Sequence, residues 1–287
     1  MRKSIFAFAL ASTLAAPFTA SAQTAPAADA KPASPHTFTG NMTIASDYRF
    51  RGIDQTFGKP AIQGGIDYSH SSGIYLGNWN SNVSSGAGYP AGNIEMDLYG
   101  GWKNTWGDWG LDVGTIYYYY PGTSISATNG SAASFVNPRT GASKTGSVHN
   151  QEIYIGGSWK WISLKVYDAI SDYFSLPGTK NTYYWDLSAN YDLGDGWGIV
   201  GHLGQLKVKG WSNGTPATNL NYTDYKLGVS KDVSGWVLGA AFVGTSAKGN
   251  CANGDFYCFG NNASLATSTS TTNAGRSTIV LSVTKTF

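Results

Sequence analysis

Charged side chains recur at every second position in several stretches that otherwise look like β-strands. In the first of these stretches, Asp47, Arg49 and Arg51 alternate with Tyr48 and Phe50. Because successive side chains of a strand point to opposite faces, the three charges would share one face and the two rings the other. The same reasoning along the chain selects the lining candidates Asp47, Arg49, Arg51, Glu95, Asp97, Lys103, Asp186 and Asp192.

Two uses of such a charged face are compatible with the sequence. If the face lines a water-filled passage, opposed charges would form a constriction that sieves small polar solutes. If the charges pair with one another, they would instead plug the passage as structural contacts. Both alternatives stay open at this point.

Polar side chains could instead serve catalysis, and a histidine is the residue most often used as a catalytic base. A hydrolase needs a nucleophile, a base and an orienting group within hydrogen-bond reach. The chain has four histidines, His36, His70, His149 and His202, and none of them stands in a recognisable nucleophile pattern. There is also no G-x-S-x-G motif, phosphate loop or His/Cys metal cluster. The sequence therefore predicts a protein that is not an enzyme, with no cofactor and no metal.

The two cysteines, Cys251 and Cys258, lie close together with Gly254 between them. In an oxidising compartment a close pair within one loop predicts a local disulfide, with reduced thiols as the alternative. The spacing does not match a C-x₂-C metal pair.

The elements that would position these residues are twelve strand-length segments. They are Thr37–Gly52, Pro60–His70, Ile74–Val83, Asn93–Lys103, Trp109–Tyr120, Val148–Lys160, Ile162–Tyr173, Thr182–Tyr191, Trp197–Lys207, Tyr222–Lys231, Trp236–Thr245 and Arg276–Phe287. Every second connection is tight: Ser71–Gly73, Asn104–Asp108, a turn at Trp161, Asp192–Gly196 and Asp232–Gly235. Those between are mostly longer: Ser84–Gly92, Pro121–Ser147, Phe174–Asn181, Val208–Asn221 and Ser246–Gly275.

This strict alternation of short and long connections predicts the fold class. It is typical of an all-β transmembrane barrel with antiparallel up-and-down strands, short periplasmic turns and long extracellular loops. A soluble sandwich has no reason to place every short turn at one end. We therefore expect about twelve strands, with both termini on the periplasmic side and the cysteine pair outside.

The start of the chain predicts export. Arg2 and Lys3 precede the apolar stretch Ile5–Ala16, and Ala20-Ser21-Ala22 forms an A-x-A cleavage site. Residues 1–22 thus read as a signal peptide, 23–36 as a flexible Ala- and Pro-rich tail, and 37–287 as the barrel. Cleavage reduces the 19 basic residues to 17, equal to the 17 acidic ones, and this balance argues against a nucleic-acid partner.

Aromatic residues gather near the predicted ends of the strands. Trp102, Trp106, Trp109, Trp159, Trp161, Trp197 and Trp236 flank short turns, and Tyr117–Tyr120 and Tyr173 stand at the opposite ends. Amphipathic rings favour the two membrane interfaces, so these sets predict two aromatic girdles. Cross-strand packing of the rings is the alternative.

The last strand carries a second membrane signal. Ile279, Leu281, Val283 and Phe287 share one face and end the chain, as expected of a segment read by the barrel-insertion machinery. Lys285 interrupts this apolar face, and we expect it to lie near the interface.

One region resembles a known family. Ser46-Asp47-Tyr48-Arg49-Phe50-Arg51-Gly52 is followed by Gln55, by Pro60-Ala61-Ile62-Gln63-Gly64-Gly65 and by Gly73-Ile74-Tyr75-Leu76-Gly77-Asn78-Trp79. This resembles the TorF family of porin-like bacterial outer-membrane proteins. The resemblance implies a barrel and passive transport, and it brings no catalytic residues.

Together these patterns predict an outer-membrane channel for passive diffusion of small polar solutes. Its other partners would be outer-membrane lipid, lipopolysaccharide and the insertion machinery. The alternative is a non-conducting structural or adhesive barrel that binds partners through its outer loops, and an outer-membrane lipase is a more remote one. Loop Pro121–Ser147 is Ser/Thr/Gly-rich, and we expect it to be solvated outside the barrel, with folding into the pore as the alternative.

Overall fold

The computed structural model describes residues 34–125, 135–262 and 267–287. The predicted signal peptide and nearly all of the N-terminal tail lie outside these residues. The strands are β1 (His36–Ala45), β2 (Arg49–Phe50), β3 (Ile53–Asp54), β4 (Ala61–His70), β5 (Ile74–Asn82), β6 (Ile94–Trp106), β7 (Trp109–Tyr119), β8 (His149–Trp159), β9 (Ile162–Ala169), β10 (Tyr183–Gly194), β11 (Trp197–Lys207), β12 (Tyr222–Val233), β13 (Trp236–Thr245), β14 (Cys258–Gly260), β15 (Thr271–Asn273) and β16 (Thr278–Thr286).

Twelve of these strands close into one antiparallel barrel, as the alternation of connections predicts. Each barrel strand pairs with the next along the chain, and β1 closes the ring against β16, with Met42 opposite Lys285. The other four strands form two small sheets, β2 with β3 and β14 with β15. The five short connections and both ends of the barrel chain lie at one end of the barrel, and the six long loops lie at the other.

The first segment departs from its prediction. Strand β1 ends at Ala45, so Asp47, Arg49 and Arg51 do not continue it toward the long-loop end. Residues 46–60 instead fold back into the barrel as an inner loop that contains β2 and β3. Alternation places Phe50 on the face opposite these charges, and so predicts that it faces lipid; this is wrong, because Phe50 is 7% exposed and packs inside the barrel. Period two continues across residues 46–51 while the chain turns, and alternation cannot reveal the turn.

The outer surface of the barrel is apolar. Exposed isoleucine, leucine, valine and aromatic side chains occupy the outward positions of nearly every barrel strand, including Phe38, Ile66, Leu227 and Ile279. A continuous apolar belt of this kind is what a barrel presents to lipid. Among the described residues, no helix is both long and apolar enough to cross a membrane.

The aromatic girdle is confirmed at the short-turn end and only in part at the other. The exposed tryptophans of the short-turn end are Trp106, Trp109, Trp159, Trp161, Trp197 and Trp236. At the long-loop end, Tyr119 is exposed, whereas Tyr118, Tyr120 and Tyr173 are buried inside the barrel. For these three rings, packing across the lumen replaces the predicted contact with the membrane interface.

The long loops fold over their end of the barrel. Cys251 and Cys258 form the predicted disulfide, with their Cα atoms 4.9 Å apart. In the loop 121–147, residues 138–147 are mostly exposed, as predicted, whereas Phe135 and Asn137 are not. Phe135 is buried, and the Asn137 amide, fully buried, donates to the carbonyl oxygens of Pro177 (2.6 Å) and Gly210 (3.0 Å). Residues 126–134 of this loop lie outside the described residues.

The outward face of β16 offers a test of membrane depth. Lys285 lies beside the turn between β12 and β13, with its Nζ 5.4 Å from the centre of the Trp236 ring, whereas Leu281 lies near mid-strand opposite Ala240. A lysine costs about 2–4 kcal/mol at the bilayer midplane and about 0–1 kcal/mol near the interface. We therefore expect Leu281→Lys to lower the free energy of unfolding in lipid vesicles by about 2–4 kcal/mol, and Lys285→Leu to change it by less than about 1 kcal/mol. A gain of several kcal/mol from Lys285→Leu would contradict this depth assignment.

Candidate functional site

A ladder of charged residues winds around the inner wall of the barrel. The strand registers place directly opposite one another, in order from β6 to β12, Lys103, Asp112, Gly156, Lys165, Asp186, Gly204 and Asp224. Because barrel strands are tilted, a row of paired residues rises from the short-turn end toward the long-loop end. The lumen thus carries a rising track of charges of both signs, interrupted by glycine.

The glycines of this track let side chains reach across a strand. The Lys165 side chain lies over Gly156, where an added Cβ would stand 3.1 Å from it, and its Nζ lies 2.6 Å from a carboxylate oxygen of Asp112. The Tyr184 hydroxyl crosses Gly204 in the same way and lies 2.9 Å from Asp224. A side chain at Gly204 would occupy the position of the Tyr184 hydroxyl, and one at Gly156 would crowd the Lys165 side chain.

His202 lies inside the barrel, close to two carboxylates of this track. Its Nδ1 is 3.1 Å from Asp186 and its Nε2 is 2.8 Å from Asp224. The Ser188 hydroxyl is 3.1 Å from the ring, which brings serine, histidine and aspartate together in a way that the sequence order did not reveal. However, Ser188 donates to Asp186 at 2.5 Å, and each ring nitrogen faces a carboxylate. The cluster is therefore arranged as a hydrogen-bonded network in which two carboxylates hold His202, rather than as a base that activates Ser188.

A second ladder, made of aromatic rings, runs beside the charged track. It comprises Tyr75, Gly101, Gly114, Tyr154, Tyr167, Tyr184, Leu206 and Tyr222. Gly101 and Gly114 leave room for the hydroxyls of Tyr75 and Tyr154 to meet over them, and Tyr75 also donates to Asp112 at 2.6 Å. The rings narrow the lumen on the long-loop side of the charged track.

The inner loop places Arg51 against these rings. Its guanidinium donates two parallel hydrogen bonds to Glu152 of β8, at 3.0 and 2.7 Å, and lies 4.1 Å from the centre of the Tyr184 ring. Both side chains of the pair are 1% exposed. Gly52 follows with a φ of +78°, and an added Cβ there would come within 2.4 Å of Thr245. The turn after Arg51 is thus built so that the loop can press against the barrel wall.

Arg49 holds the base of the inner loop. It pairs with Asp47 at 2.7 Å and donates to the backbone carbonyls of Ala274 (3.1 Å) and Arg276 (3.0 Å). Arg276 in turn pairs with Asp54 of β3 at 2.8 Å. Burial, together with repulsion from Asp54, raises the pKa of the Asp47 carboxyl to about 6 against the opposing effect of Arg49. These contacts tie the inner loop to the last long loop.

Glu95 and Asp97 of β6 form an acidic pair that is fully buried. Glu95 accepts a hydrogen bond from the Tyr120 hydroxyl at 2.9 Å. Neither oxygen of the Asp97 carboxyl has a hydrogen-bond partner among the described residues, and neither acid pairs with a cation there. Glu95 and Asp97 therefore make this side of the lumen acidic, whereas the charged track carries side chains of both signs.

All of the predicted lining residues except Asp192 are brought together inside the barrel. Lys103 lies on the track, with its Nζ 5.0 Å from the centre of the Tyr75 ring, and Asp192 is exposed near the turn that follows β10. The outward positions of Ile279, Leu281, Val283 and Phe287 agree with the apolar face predicted for them, and their role in insertion stays a prediction. The sequence reasoning missed Asp112, Glu152, Lys165 and Asp224. Period two would have found them, since each stands at an inward position of its strand.

Comparison with known proteins gives the family. A family model described as a bacterial protein of unknown function, Gcw_chp, matches residues 29–287. The chain belongs to the Gcw_chp family. No curated protein matches this Gcw_chp chain.

Several solved barrels are similar in shape to this Gcw_chp protein. The KdgM porin in complex with disordered oligogalacturonate has 9% sequence identity and a TM-score of 0.45, with 87% of this chain and 98% of that chain covered. The NanC porin has 7% identity and a TM-score of 0.46, over 86% and 98% of the two chains. OmpT of Vibrio cholerae has 10% identity and a TM-score of 0.40, over 88% and 97%. Similarities this low concern shape alone and support no inference about solutes.

Glu152, which is paired with Arg51, and Asp97, which has no partner among the described residues, predict opposite effects on stability when each is replaced by its amide. Glu152→Gln leaves Arg51 as an uncompensated buried charge and should lower the free energy of unfolding by about 3–5 kcal/mol. Asp97→Asn removes a carboxylate without a partner and should raise it by about 1–2 kcal/mol, because an unsatisfied charged group costs more than an amide. Both can be measured by urea unfolding in lipid vesicles at neutral pH. A loss of stability in Asp97→Asn would show that Asp97 has a stabilising partner.

Proposed function

We propose that this protein is a porin-like outer-membrane channel for the passive diffusion of small polar solutes. The observation that carries the proposal is the lining of the barrel interior. Charges of both signs, with glycines between them, form a track along the inner surface of the barrel, and the outer surface of the barrel is apolar. A polar, charged lumen behind an apolar outer face is the arrangement by which barrel channels pass polar solutes.

The remaining parts of this proposal concern location and export. The apolar belt and the exposed tryptophans at the short-turn end support an outer-membrane barrel with its short turns in the periplasm. The same proposal includes export by the predicted signal peptide and contact with lipid and lipopolysaccharide. It also includes insertion through the face formed by Ile279, Leu281, Val283 and Phe287. We also propose that the protein is a member of the TorF family, which the resemblance suggests, and that it is not an enzyme.

The inner loop would control passage through this channel. Arg51 belongs to the inner loop that follows β1, and its pair with Glu152 of β8 closes the space between the loop and the barrel wall. Beside it the ring of Phe50 packs edge to face against Tyr118 and Phe174. A solute must displace this loop or pass beside it, so the Arg51–Glu152 pair would set both the width and the charge of the narrowest part.

A specific observation favours the second candidate, a non-conducting barrel that binds partners through its outer loops. The long-loop half of the lumen holds one contiguous cluster of buried side chains that includes residues of the inner loop and of the strands. Such a cluster would suit a permanent plug. The disulfide-linked last loop would then serve as part of a rigid outer surface.

Single-channel recording in planar bilayers distinguishes the two candidates. We expect the wild-type protein to conduct, and Arg51→Gln to increase the open-channel conductance and to shift permeability toward cations. The shift follows because the substitution removes a positive charge from beside the acidic side chain of Glu152. Lys180→Gln, which removes an exposed positive charge from a long loop, is the matched control and should leave conductance and selectivity unchanged.

The recordings can contradict the proposal in two ways. If neither wild type nor Arg51→Gln conducts although both are folded, the plugged barrel is the correct reading. If both conduct with the same selectivity, the barrel is a channel but Arg51 is not part of its filter.

A further inference from the structure

The long-loop end of the barrel contains a cavity that the polar track does not explain. Its volume is about 620 Å³, part of which is open to solvent. All six long loops contribute apolar side chains to it. One from each loop, in chain order, is Phe50, Ala87, Phe135, Leu176, Leu220 and Phe256.

Most of the polar side chains that line this cavity are hydrogen-bonded to the protein. The Gln55 amide donates to the carbonyl of Ile53 at 2.9 Å, and its oxygen accepts from the Tyr89 hydroxyl. The Tyr257 hydroxyl donates to the carbonyl of Leu220 at 2.7 Å, and the Tyr173 hydroxyl accepts from Arg51 at 3.3 Å. These side chains therefore turn their rings and methylene groups toward the cavity and their polar atoms toward the protein.

The charged groups of the lumen do not reach this space. The lining contains no aspartate, glutamate, lysine, arginine or histidine, and Arg51, which donates to the lining residue Tyr173, is paired with Glu152. A charged or strongly polar ligand would lose its hydration here without gaining hydrogen bonds, which is costly. An apolar ligand would gain the burial of its surface against aromatic rings.

We propose that this cavity is a binding site for a compact apolar molecule, aromatic or aliphatic, which reaches it from the long-loop side. The ligand would sit between the inner loop, through Phe50 and Ile53, and the loops that cover the barrel. Phe50 contacts Phe174 and Tyr118 edge to face at 5.5 Å, so an aromatic ligand would extend an existing arrangement of rings. The site does not depend on whether the barrel conducts.

Binding of naphthalene to the purified full-length protein in amphipol, measured by equilibrium dialysis, tests this site. We expect one saturable site per chain in the wild type. Ala87→Leu fills the cavity and should weaken binding at least tenfold. Ala142→Leu makes the same change at an exposed position of another long loop, and should bind like the wild type. Naphthalene-2-sulfonate, which adds a charge to the same ring system, should bind at least tenfold more weakly than naphthalene.

Leu220→Asn is a second variant in case Ala87→Leu does not fold, since it places an amide in the cavity without filling it. It should also weaken binding at least tenfold. The proposal is overturned if naphthalene shows no saturable binding, if the folded cavity variants bind like Ala142→Leu, or if the sulfonate binds as tightly as naphthalene. Equal binding in all variants would place naphthalene on the outer apolar belt instead.

Discussion

The buried pair between Arg51 and Glu152 is the contact on which the inside of this barrel depends. Twelve strands enclose a lumen too wide for the side chains of the wall alone to fill. The chain solves this by folding residues 46–60 inward and fixing their tip to β8 through two parallel hydrogen bonds. A buried ion pair contributes little net stability over an apolar pair, but removing one partner is costly. The pair therefore specifies where the inner loop lies more than it stabilises the barrel.

The wall is shaped to receive this loop. Gly52 lies against Thr245, and Gly156 and Gly204 leave the space through which Lys165 and Tyr184 reach acids two strands away. In each case the absence of a side chain allows a long polar group to cross a strand. The glycines and the charged groups thus work as one arrangement, and neither would produce the track without the other.

Much of the fold was predictable from the sequence, because the period of two and the lengths of the connections are local properties. The twelve strands, the apolar outer face and the disulfide between Cys251 and Cys258 follow from such signals. The inner loop was not predictable, because Asp47, Arg49 and Arg51 keep strand-like alternation after the strand has ended at Ala45. What turns the chain inward is contact with residues far along it, such as the carbonyls of Ala274 and Arg276 that bind Arg49.

The same limit applies to the candidate site. Alternation identified Glu95 and Asp97 as inward residues, but it could not show that Glu152 has a partner whereas Asp97 has none among the described residues. Which charges pair depends on how strands that are distant in sequence align. That alignment is a property of the closed barrel, and no single segment carries it.

The lumen changes character along its length, and this order constrains what could cross it. At the long-loop end all six loops present rings and aliphatic side chains, whereas the track from Lys103 to Asp224 presents charges. A purely polar solute would gain nothing in the apolar cavity, and a purely apolar one would find no favourable contact along the track. Arg51 stands between the two regions, with its guanidinium on Glu152 and its neighbour Phe50 in the wall of the cavity. A movement of the inner loop would therefore change the wall of the cavity and the contact with Glu152 at once, because two adjacent residues, Phe50 and Arg51, take part in them.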